Sequence, residues 1–180
     1  MEVPEPTLPA EQFEYLALPL FDQLFNFARW LTQDTSDAED LVQETYAKAL
    51  RGFSTFQPGT NFRAWMFRIL RNSFLNSRAG LKTMVPLDDD GDDSIASAEP
   101  DAEGLLLAQA NRESVRQALE ELPVHFREIL LLCEVEEMSY EEMSQALAIP
   151  MGTVMSRLSR ARKALKTRLA ARFEGVRHVV

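Results

Sequence analysis

The chain of 180 residues has one cysteine, Cys133, two histidines and only seven glycines. A single cysteine excludes an intramolecular disulfide, and with no CxxC and no Cys/His cluster there is no zinc-ligand pattern. His125 and His178 lie far apart in sequence. The aspartates of DDDGDD at 88–93 lack the spacing and terminal glutamate of a calcium loop. Neither a Gly-rich phosphate loop nor a GxSxG elbow occurs. The sequence therefore predicts a protein that is not an enzyme and takes no metal, no cofactor and no small-molecule substrate. Long hydrophobic runs are missing too. The strongest apolar run is Ile129 to Cys133, far below the roughly 18 residues of a membrane span. Residues Met1 to Ala10 are acidic and proline-rich, without the basic start and apolar core of a signal peptide. These absences predict a cytoplasmic protein with no membrane insertion.

Positive charge is also short overall, with 19 basic against 28 acidic side chains and a net charge of −9. Taken whole, that balance speaks against a nucleic-acid binder. Its distribution speaks for one. Residues 51–84 carry six bases and no acid, and residues 143–180 carry eight bases and one acid. Residues 85–104 between them carry eight acids and no base. Local potential over about a Debye length (roughly 10 Å), not the total, is what attracts a polyanion.

Apolar spacing is helical wherever it is periodic, so the fold class is all-α. Two small helical domains are predicted, at 10–80 and 108–175, joined by a flexible acidic linker over 81–107. In the first, Phe13, Leu16, Leu20, Leu24, Phe27 and Leu31 keep helical spacing, with a break at Pro19. Ser36-Asp37-Ala38-Glu39 is a capping-box pattern with Ser36 as N-cap. It opens a helix with Leu41, Val42, Thr45, Tyr46, Ala49 and Leu50 on its inner side. After a loop with Pro58-Gly59, a stripe of Phe62, Trp65, Met66, Ile69, Leu70, Ser73 and Phe74 marks a third helix. In the second domain, Cys133 falls on the apolar face of a helix after Pro123. Ser139-Tyr140-Glu141-Glu142 is another capping box, opening a short helix through Leu147. A basic helix from about Gly152 to Phe173 follows a break at Ala148-Ile149-Pro150. Its Val154, Leu158, Ala161, Leu165 and Leu169 are predicted to pack on the shorter helix.

Two helices joined by so tight a break, the second rich in arginine, form a helix-turn-helix pattern. The other faces of this second helix hold Met155, Ser156, Arg157, Ser159, Arg160, Arg162, Lys163 and Lys166, and small polar and long cationic side chains of this kind suit base edges and phosphates. The plainer reading is a solvated basic face. On helix 61–78, Arg63, Phe67, Arg71, Leu75 and Arg78 form one row and Arg68, Asn72 and Asn76 another. Cations, amides and an aromatic on one helix suit melted DNA, or a solvated face with Phe67 in a hydrophobic contact. The acids of Asp37 to Glu44 fit either simple capping in a helix dipole or a docking face for a basic partner.

These residues resemble those of a known family. Asp37-Ala38-Glu39-Asp40-Leu41-Val42-Gln43-Glu44-Thr45 and Phe62-Arg63-Ala64-Trp65-Met66-Phe67-Arg68-Ile69-Leu70-Arg71-Asn72 resemble domain 2 of the extracytoplasmic-function (ECF, group 4) bacterial sigma factors of the sigma-70 family. Ala118-Leu119-Glu120-Glu121-Leu122-Pro123, Ser139-Tyr140-Glu141-Glu142 and Gly152-Thr153-Val154 through Arg160-Ala161-Arg162 resemble domain 4. The resemblance implies a stress-response factor that binds core RNA polymerase and directs it to promoter DNA, held in check by an anti-sigma factor. It assigns polymerase binding to Asp37, Glu39, Asp40, Leu41, Gln43 and Glu44. It assigns the −10 element to Phe53, Phe56, Asn61, Arg63, Trp65, Phe67, Arg68, Arg71, Asn72 and Asn76. It assigns the −35 element to Thr153, Met155, Ser156, Arg157, Ser159, Arg160, Arg162 and Lys163. Family members carry Lys or Arg where Met155 stands, which implies a different base preference, such as contact with a thymine methyl. They carry Gly where Ala148 stands, so a positive φ there implies strain. The alternatives are a helix-turn-helix regulator with an N-terminal sensor or dimerisation domain, and an adaptor that does not touch DNA. Helices 37–50 and 61–78 discriminate against the first, and the basic block at 143–180 against the second.

Overall fold

The computed structural model describes residues 9–79 and 112–177, with side chains as far as Arg172. The predicted linker, the aspartates at 88–93 and His178 lie outside the described residues. Among the described residues all regular structure is helical. In chain order the helices are α1 (Pro9–Ala17), α2 (Phe21–Thr32), α3 (Thr35–Gly52), α4 (Phe62–Ala79), α5 (Arg112–Glu120), α6 (Val124–Leu130), α7 (Tyr140–Leu147) and α8 (Met151–Arg177). They cluster into two compact units: α1 to α4 with α7, and α5, α6 and α8. Residues 138–149 thus cluster with the first unit, whereas the sequence reading groups them with 108–175.

In the first unit, Pro19 lies within a 3-10 turn, Leu18–Leu20, between α1 and α2. That is where a residue without an N–H costs the helix ladder least. Helix α2 ends at Gln33, which takes a left-handed φ of 61° and returns its N–H to the Arg29 carbonyl. The N-cap of α3 is Asp34 and not Ser36. Asp34 has extended backbone, and its side chain accepts the Asp37 N–H at 2.9 Å, so Thr35 and Ser36 already belong to the helix. Leu41, Val42, Thr45 and Ala49 of α3 face inward as predicted, and Thr45 donates its hydroxyl to the Leu41 carbonyl at 2.7 Å. Leu50, predicted inside, is 51% exposed.

Helix α4 packs against α2, α3 and α7. Its buried face comprises Ala64, Met66, Phe67, Leu70, Ser73 and Phe74, rotated from the predicted stripe, with Phe62, Trp65 and Ile69 at its margin. Phe67 meets Phe27 of α2, ring centroids 5.2 Å apart. Burying each such ring contributes about 1.5–3 kcal/mol.

In the second unit, Pro123 separates α5 from α6. The buried Arg127 side chain donates to the carbonyls of Leu119, Glu120 and Leu122, satisfying acceptors that the end of α5 would otherwise strand. A π-helical turn, Leu131–Val135, follows α6. Helix α8 lies on α5 and α6 within this unit, burying Leu158, Ala161, Leu165 and Leu169. The sequence predicted the Tyr140–Leu147 helix as the partner of that stripe.

Candidate nucleic-acid interface

Capping and burial of one face of α3 turn the other face outward. Asp37, Glu39, Asp40, Gln43 and Glu44 are all exposed. Leu41 is only 6% exposed, so it anchors the helix in the core and leaves the outward surface to its neighbours. Glu44 pairs with Lys48 one turn on, and Lys48 also donates to the Ser73 hydroxyl at 3.0 Å. The remaining carboxylates form an acidic strip near the helix N-terminus, where the macrodipole favours them.

On α4, Asn61 accepts the Ala64 N–H at 2.8 Å as the helix starts and donates its amide to Glu142 Oε1 at 2.9 Å. The Ser139 N–H, then Asn61, hold the Glu142 carboxyl below the usual range. Arg63 donates to Gln23 Oε1 at 2.9 Å, with its guanidinium 5.7 Å from the Phe67 ring centroid. Arg71 donates to the Leu147 carbonyl at 3.3 Å. Arg68, Asn72 and Asn76 are exposed at four-residue spacing, giving one cation and two amides on a single line.

Phe67 is 1% exposed, so it stabilises α4 from inside and is removed from the surfaces on which a base stacks. Phe53, Phe56 and Trp65 are half-buried. They form a ring cluster with Phe13 and Phe62, with centroids from 5.2 to 6.2 Å apart. This cluster fixes the loop between α3 and α4, which turns at Gly59 with φ +87°.

On α8, Met155 is 53% exposed, and Ser159 and Lys163 are exposed with it. Thr153, Ser156 and Arg160 are half-buried beside them. Ser156 donates to the Thr153 carbonyl at 3.2 Å, and Arg160 to the Ser156 carbonyl at 3.4 Å. Two predicted DNA contacts are engaged inside their own unit. The Arg157 guanidinium lies 3.8 Å from the carboxylate of Glu128, which is 1% exposed. Arg162 donates to Glu134 at 2.6 Å and meets Cys133 Sγ at 3.6 Å. Cys133 is half-buried, and burial with help from Glu134 pushes its thiol up, which leaves little thiolate for reaction. Glu128, Glu134 and Gln23 were not singled out from sequence, whereas Glu142 was, as the last residue of the second capping box.

An acidic outward helix, a helix carrying exposed cations and amides, and a basic helix preceded by a capped short one make this an all-helical protein whose exposed faces differ sharply in charge. Residues 19–82 match the family sigma-70 region 2, and residues 112–165 match sigma-70, region 4. The chain is 36% identical over 151 residues to the ECF RNA polymerase sigma factor SigE of Mycolicibacterium smegmatis, covering 83% of this chain and 58% of that one. It is 38% identical over 143 residues to the ECF RNA polymerase sigma factor EcfG of Rhodopseudomonas palustris, covering 79% and 77%. Among solved structures it is similar to the sigma factor RpoE in complex with the anti-sigma factor NepR from Bartonella quintana, with TM-score 0.66, 30% identity and coverage of 89% and 98%. The chain belongs to the ECF RNA polymerase sigma factors of the sigma-70 family. Among the described residues no helix is long and apolar enough to cross a membrane.

Proposed function

We propose that this sigma factor docks on core RNA polymerase through the outward face of α3 and carries two promoter-reading helices to DNA. Residues 10–80 form sigma domain 2, residues 108–175 form sigma domain 4, and 81–107 connect them. Asp37, Glu39, Asp40, Gln43 and Glu44 make the polymerase contact. Arg68, Asn72 and Asn76, with Asn61, Arg63 and Arg71 beside them, address the −10 element. The aromatic cluster around Phe53, Phe56 and Trp65 holds the loop that receives unstacked bases. Met155, Ser156, Ser159 and Arg160 read the −35 element, with Thr153 and Lys163 at its phosphates. The protein acts in the cytoplasm, performs no catalysis of its own, and is held by an anti-sigma factor when inactive.

The observation that carries this reading is the exposed line Arg68, Asn72, Asn76 on a helix whose opposite side is fixed in the core. Charge for phosphates and amides for bases follow one another along the exposed side of a helix anchored in the core. The test mixes the chain with core polymerase over a library of genomic promoters. Discrete transcript starts are expected from the mixture and from neither component alone. A mixture that gives no promoter-dependent transcript overturns the reading.

A further inference from the structure

We propose that Glu128 is a positioning residue for −35 reading, setting through Arg157 the rotation of α8 about its own axis. Glu128 lies in α6 with 1% exposure, and its carboxylate stands 3.8 Å from the Arg157 guanidinium, itself 20% exposed. Arg157 sits two residues after Met155 and three before Arg160, within the segment that faces the bases. Its side chain is turned to the opposite duty, toward α6.

The other contacts of α8 in this unit do different work, and the bonds of Arg172 to Gln117 and Glu121 lie about four turns along the helix from Arg157. Leu158, Ala161, Leu165 and Leu169 are buried apolar side chains, and apolar burial is proportional to area and has no direction. It holds the helix down, and a charge pair adds a directional constraint to that packing. The Arg162–Glu134 pair is exposed, at 41% and 56%, and such pairs contribute little. A buried carboxylate differs because separating it from its cation is costly. Helical side chains reach about 5–6 Å from the axis. A rotation of about 15° then displaces Met155, Ser156, Ser159 and Arg160 by roughly 1.5 Å, more than a hydrogen bond to a base edge tolerates.

This inference rests on the −35 reading above, and the experiment separates the two. Holoenzyme made with the full chain selects from a promoter library randomised over the −35 hexamer with a fixed −10 element. The readout is the ratio of preferred to singly mismatched sequences, which does not depend on how much protein is folded. Glu128→Gln is expected to lower that ratio about tenfold. Glu128→Leu/Arg157→Met replaces the pair by apolar groups of similar size, a change that often preserves stability. It is expected to melt close to the unmodified protein and still to read −35 poorly, and it decides the matter if Glu128→Gln does not fold. An unchanged or sharper ratio in Glu128→Gln means that the pair competes with a direct Arg157–DNA contact, and overturns the proposal. So does a full ratio in the double variant. An unmodified holoenzyme that selects no −35 sequence overturns the promoter reading instead.

Discussion

Single side chains in this protein differ sharply in how much rests on them. Tyr46 donates its hydroxyl to the Ala17 carbonyl at 2.7 Å, and burial, with Asp22 nearby, pushes its phenol up to about 12. The folded state keeps a proton that the unfolded chain releases near 10. The contribution is therefore present below pH 10 and lost as pH rises from there through about 12. Tyr46→Phe is expected to cost about 1 kcal/mol at neutral pH and to flatten that alkaline decline, as read by urea unfolding at stepped pH. Ala148 stands at φ 54°, ψ 44°, where α7 ends. A Cβ is unfavourable in left-handed backbone, so Ala148→Gly is expected to stabilise by about 1 kcal/mol despite glycine's greater freedom when unfolded. A denaturation midpoint that fails to rise would show that the surroundings already relieve the strain.

At the level of elements, the capping of α3 gives a clean comparison. Asp34→Ala removes the acceptor for the Asp37 N–H and is expected to cost about 1 kcal/mol. Ser36→Ala is expected to change stability by less than about 0.5 kcal/mol. Equal midpoints in urea for the two variants would contradict this assignment. The same helix shows what was legible in the sequence. Its inward residues repeat at helical spacing, so the element and its face could be read, and the second capping box, Ser139 with Glu142, is formed as its spacing predicts. The start of α3 could not be fixed, because Asp34 and Ser36 are both good caps and the choice depends on backbone geometry. The face of α4 was misjudged for another reason. A helix packed against α2, α3 and α7 buries an arc wider than one stripe, which draws Phe67 inside. Pairs such as Arg157 with Glu128 join residues on different helices, and no local period announces them. The strain at Ala148 was legible only through resemblance to a family that has glycine there.

For the molecule as a whole, a net charge of −9 on a chain with two basic helices is expected to make binding to free DNA weak in the absence of polymerase. Asp40 is exposed on α3, so Asp40→Arg is expected to leave the melting temperature essentially unchanged. It is expected to weaken binding to core polymerase about tenfold or more, since a reversed charge meets a basic partner. Anisotropy of the labelled chain titrated with core enzyme measures this, and undiminished affinity would reduce the acidic strip to a helix cap. The cluster of five rings that joins Phe13 of α1 to Trp65 of α4 has an optical consequence. The chain holds two tryptophans, so with Trp30→Phe the emission comes from Trp65 alone, half-buried against Phe56 and Phe62. The protein then carries its own fluorescent gauge of the loop between α3 and α4. A shift of that emission on adding single-stranded promoter DNA to the free chain is expected if the proposed −10 reading holds, with no attached dye.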